Sequence, residues 1–80
     1  MNLESELKAF NIIKKEKGTF TSGEPYLSIY CELNNHFYIF ESDSKSYLIL
    51  DSECQLILKT RSLKKLRRKI NEIERIASEL

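Results

Sequence analysis

Five cations crowd one short stretch of this chain: Lys64, Lys65, Arg67, Arg68 and Lys69, in a run that opens S-L-K-K-L-R-R-K at Ser62. Lys and Arg at that density bind phosphates or an acidic protein surface. They also conflict with the element that carries them. Ser62 is a good N-cap, its hydroxyl able to accept from the orphan amides of a first turn. That puts the cations in the first two turns, at the helix end whose dipole favours anions. Departures from local stability rules concentrate at functional sites. Arg68 can pair with Glu72 one turn on, but Lys64 and Lys65 have no acid within reach on the helix.

The other chemically capable side chains form no constellation. Asp51 and Glu53, two apart near Glu41 and Asp43, could line one side of a strand end as in a nuclease-like metal site. The lysine that should follow closely is missing, the next being Lys59. Asp at turn positions commonly serves the local backbone instead. His36 is the single histidine, and no cysteine or acid stands from it at metal-ligand spacing. Cys31 and Cys54 match neither a disulfide framework nor a zinc site. No Gly-rich phosphate loop, Ser-His-Asp arrangement or CxxC occurs. No metal, no cofactor and no enzymatic activity are therefore expected.

These residues need elements to hold them. Leu63, Leu66, Ile70, Ile73, Ala77 and Leu80 recur at steps of three and four, predicting an amphipathic helix from Ser62 to Leu80. A second helix is predicted over residues 2–17. Asn2 would cap it, Glu4 and Glu6 fill its first turn, Lys14, Lys15 and Lys17 its last, and Gly18 the stop. Its buried stripe would run through Leu3, Leu7, Phe10 and either Ile13 or Lys14, with Ile12 at the margin. Residues 19–25 are turn-rich, and Pro25 forbids a helix running through.

From Tyr26 the period changes to two, giving strands over Tyr26 to Leu33, His36 to Glu41, Tyr47 to Asp51 and Gln55 to Thr60. Asn34-Asn35 suits a two-residue hairpin turn, because Asn tolerates positive φ. The expected fold is α+β, ordered α-β-β-β-β-α: an N-terminal helix, a four-stranded antiparallel meander and a C-terminal amphipathic helix in a single domain over 1–80. Pairing Phe40 with Leu48 and Tyr38 with Leu50 across the second hairpin sorts the sheet into two faces. One carries Leu27, Ile29, Cys31, Leu33, Tyr38, Phe40, Leu48, Leu50 and Ile57; the other Tyr26, Tyr30, Phe37, Ile39, Tyr47, Ile49, Leu56 and Leu58. Both are apolar, which an antiparallel sheet with one wet face is not. Either a helix covers each face, or the face bearing Tyr26, Tyr30, Phe37, Ile39 and Tyr47 is an interface.

Size and charge narrow the function. Eighty residues cannot enclose a deep substrate pocket without consuming much of the core. A net charge of +1 argues against an all-round phosphate-binding field, so a basic patch must be local. Met1 is followed by no basic start and apolar run, so no secretory leader is expected. No apolar stretch approaches the ~20 residues of a membrane helix. A cytoplasmic chain with reduced thiols follows, and its Lys-, Ile- and Asn-rich composition would suit an AT-rich bacterial or phage genome. The leading expectation is a small non-enzymatic inhibitor or regulator that docks on a macromolecule, a protein before a nucleic acid, or pairs with a second copy of itself. The alternative is a nucleic-acid-binding regulator acting through Lys64, Lys65, Arg67, Arg68 and Lys69.

Overall fold

The computed structural model describes residues 3–79 and shows a small α+β domain, a five-stranded antiparallel sheet packed by one C-terminal helix. A short 3-10 helix, Leu3–Glu6, opens the chain. The strands are β1 (Asn11–Thr19), β2 (Pro25–Leu33), β3 (His36–Ser42), β4 (Tyr47–Asp51) and β5 (Leu56–Thr60), and α1 spans Leu63–Ser78. Spatial order follows sequence order, every strand pairing with the one before it. Asn2 and Leu80, assigned above to a cap and to the helical stripe, lie outside the described residues.

The expected N-terminal helix is replaced by the 3-10 turn and β1. Leu3, Leu7 and Phe10 are indeed buried, but the segment around them turns and then extends. Isolated helices of this length are marginal in water, and packing decides between helix and strand. Here β2 offers a ladder from Asn11↔Glu32 to Thr19↔Pro25, and the β-branched pair Ile12-Ile13 favours it. An irregularity between Ile12 and Lys14 leaves Ile13 59% exposed. Gly18 is no helix stop. It lies beneath the Tyr26 ring, where a Cβ would fall 2.5 Å from Tyr26 Oη.

The hairpins explain which side chains turn inward. Asn34 and Asn35 both take positive φ, 51° and 67°, as the sequence expects of a tight turn. At the next hairpin, Asp43 accepts from the amides of Lys45 and Ser46, both at 2.7 Å, and closes a four-residue loop. Phe40 therefore faces Ile49, and Tyr38 faces Asp51. The expected pairing with Leu48 and Leu50 is off by one residue, and in a strand one residue reverses every side chain. Tyr47 and Ile49 thus belong to the face under the helix, and Leu48 and Leu50 to the other. An irregularity between Ile49 and Leu50 sets Leu58 opposite Ile49 and Leu56 opposite Leu50. Leu58 and Ile57 then both rest against the core, where the sequence suggests Ile57 alone.

Leu66, Ile70 and Ile73 of α1 are buried with Ile29, Cys31, Phe40 and Ile49 of the sheet and with Leu3, Leu7 and Phe10. Phe10 meets Phe40 edge-on at 5.4 Å between ring centroids. The helix cap is as the sequence suggests: Ser62 Oγ accepts from Lys65 N at 3.2 Å. At the far end Asn34 Nδ2 donates to Ala77 O at 3.3 Å, fastening the β2–β3 turn to the helix.

Candidate functional site

Two surfaces remain after the fold is satisfied. The first is the sheet face turned away from α1. Register places Lys14, Tyr30, Ile39, Leu50 and Leu56 side by side, one from each strand. At a strand spacing of about 4.8 Å this row is a belt about 19 Å long. Phe37, 52% exposed, lies beside it, and Leu56 at its end is 57% exposed. An open depression of about 520 Å³ borders the belt, lined in part by Ile13, Tyr30, Phe37 and Ile39. Tyr26 lies on the same face, over Gly18 and against Phe20 at 4.8 Å between centroids.

Three of the charges on this face, Lys14, Glu16 and Glu32, are spoken for. Lys14 Nζ reaches Glu16 at 2.6 Å, which holds the lysine pKa above its ordinary value. It also stands 5.7 Å from the Tyr30 ring centroid. Glu32 accepts from Asn11 Nδ2 at 2.6 Å and from Asn35 N at 3.0 Å. Of the residues the sequence assigns here, Tyr30, Phe37 and Ile39 come together, while Tyr26 shares the face four residues along β2, beyond the Glu16–Ser28–Glu41 row. Tyr47 does not: it lies opposite Ser42 and Thr60 and packs against the core under the helix.

The second surface is basic, and it differs from the cluster read from sequence. Arg67 grips Glu6 by two contacts, Nε–Oε1 at 2.6 Å and Nη2–Oε2 at 3.2 Å. This fork pins the 3-10 turn to α1; it lowers the Glu6 pKa and raises that of Arg67. Lys69 pairs with Glu72 at 3.2 Å. Lys64, Lys65 and Arg68 are exposed and make no ion pair among the described residues. The fold adds Lys59 and Arg61, also exposed and unpaired. With Asp43, Lys45, Ser46 and Thr60 they line a depression of about 450 Å³ beside the start of α1. Arg61 was within reach of sequence reasoning, since it directly precedes the N-cap. Lys59 was not, because its position depends on the β5 register.

The remaining candidates are structural. Asp51 accepts from the amides of Glu53 and Gln55, each at 2.9 Å, around Cys54 at φ 61°. Among the described residues no three His, Cys, Asp or Glu side chains converge as a metal site. Cys31 is buried, which pushes its thiol pKa up to about 12. No described helix is long and apolar enough to cross a membrane. Compared with protein-family models, curated proteins and solved structures, the chain matches none.

Proposed function

We propose that this chain is a small binding domain that docks a protein partner on its open sheet face, acting as an inhibitor or regulator of that partner. One observation carries the reading: the Tyr30–Ile39–Leu50–Leu56 row crosses the sheet with Phe37 beside it, and no described element covers it. Exposed apolar patches of this kind are characteristic of interaction sites, with aromatic anchors at their centre. A protein suits the face better than nucleic-acid bases, because Glu32 and Glu41 flank the aromatic side chains and would repel phosphates.

The test places a photoreactive benzophenone side chain at Phe37, at Leu56 or, as a control, at Arg75 near the end of α1, in the cell that makes the protein. The reading expects one discrete adduct from positions 37 and 56, none from 75, and its loss on Tyr30→Asp with the fold intact by circular dichroism. An adduct at twice the 9.4 kDa chain mass would show self-pairing instead. No adduct at either position would end the proposal.

A further inference from the structure

The basic surface runs along the outer side of α1 and past its cap to the sheet edge, where Lys59, opposite Leu48, is its one member on the open sheet face, and its composition is selective. Lys59, Arg61, Lys64, Lys65 and Arg68 carry five charges with no intramolecular partner among the described residues. Of the thirteen Lys and Arg in the chain, the other eight face twelve acids. The near-neutral total therefore conceals a polarised molecule. Lys64 and Arg68, four apart on α1, project from the same outer face, with a rise of about 6 Å between them. Lys59 and Arg61 continue the run into the depression beside the cap, where Ser46 and Thr60 contribute hydroxyl groups. Asp43 is the one acid lining it, and its carboxylate is already held by two backbone amides.

What the run lacks is also informative. Leu63 and Leu66, the apolar residues within its helical part, turn toward the core, so no apolar or aromatic anchor stands among the cations of α1. Protein interfaces depend on such anchors, and base stacking depends on aromatic faces. Repeating phosphates need neither. The helix dipole, positive at this end, adds to the attraction for an anion. We infer that Lys59, Arg61, Lys64, Lys65 and Arg68 form a site for the phosphodiester backbone of double-stranded nucleic acid, bound without regard to sequence.

Fluorescence anisotropy with a labelled DNA duplex tests this. Binding is expected at about 50 mM salt, with log affinity falling against log salt at a slope of about −4 for four to five phosphates neutralised. Lys64→Glu with Arg68→Glu should weaken binding by about tenfold or more, and Lys59→Ala with Arg61→Ala should reduce the salt slope by about 2. Lys8→Glu with Arg75→Glu makes the same change in net charge elsewhere and should leave affinity within about threefold. Equal losses in the two charge-reversed proteins would show a whole-molecule field rather than a site. Displacement by poly-glutamate as readily as by unlabelled duplex would show an acidic protein ligand. Either result, or no binding at low salt, overturns the inference.

Discussion

Arg67 shows how far a residue's neighbours in sequence can mislead about its role. By spacing it belongs to the basic cluster, yet its guanidinium is committed to Glu6, sixty-one residues away. No periodicity reveals that partner, because it depends on a 3-10 turn meeting the side of α1. Lys64, Lys65 and Arg68 were legible because nothing on their own helix could neutralise them. Asp43 and Asp51 were legible as turn residues, and each serves two backbone amides. The Glu6–Arg67 fork has a pH signature. The Glu6 pKa is depressed in the folded state, so its contribution is full above the unfolded glutamate value of about 4.3 and is lost as pH falls through the folded value. Urea unfolding of Glu6→Gln should show a deficit against the parent at pH 7 that shrinks to nothing in strong acid. A deficit that stays constant with pH would refute this account.

At the scale of elements, α1, the Asn34-Asn35 hairpin and the central strands are where the sequence indicates, since local pattern and tertiary packing agree there. The segment before Gly18 is where they diverge. Its charges, cap and stop satisfy the rules of a helix, while the free edge of β2 offers a full ladder of hydrogen bonds. Pairing prevails, and the same three apolar residues reach the core by another route. The β3–β4 register was hidden for a different reason: a loop of four residues and one of five leave the same polar sequence between strands but opposite faces beneath it. Gly18 discriminates the two accounts of the N-terminal segment. Gly18→Ala should destabilise by about 1–3 kcal/mol through crowding under Tyr26, and the cost should fall in a Tyr26→Leu background. A helix-stop glycine would show no such coupling in a double-mutant cycle of unfolding free energies.

For the whole molecule, the sheet has one face sealed by α1 and one left apolar, an arrangement the sequence posed as a choice between cover and interface. The second face is left uncovered because one helix long enough to cover a face occurs among the described residues. The sealed side can be probed through its thiol. Cys54 is exposed, whereas Cys31 is buried with a pKa raised to about 12. At mildly alkaline pH, Cys31 should react with a thiol reagent at least ~10³-fold more slowly than Cys54, because it waits on cooperative opening of the core. Comparable rates, followed by mass spectrometry, would mean the core is loose. The strand order carries a last consequence, for synthesis. Each strand pairs with its predecessor, so the sheet can assemble as the chain lengthens, without waiting for distant segments. Its cover comes last. Until the residues from Leu63 onward emerge, Ile29, Phe40 and Ile49 face water on one side while Tyr30, Ile39 and Leu50 do so on the other. A nascent chain halted at that point is a bare two-sided apolar sheet and a prime client for a chaperone, so the final helix completes solubility as well as stability.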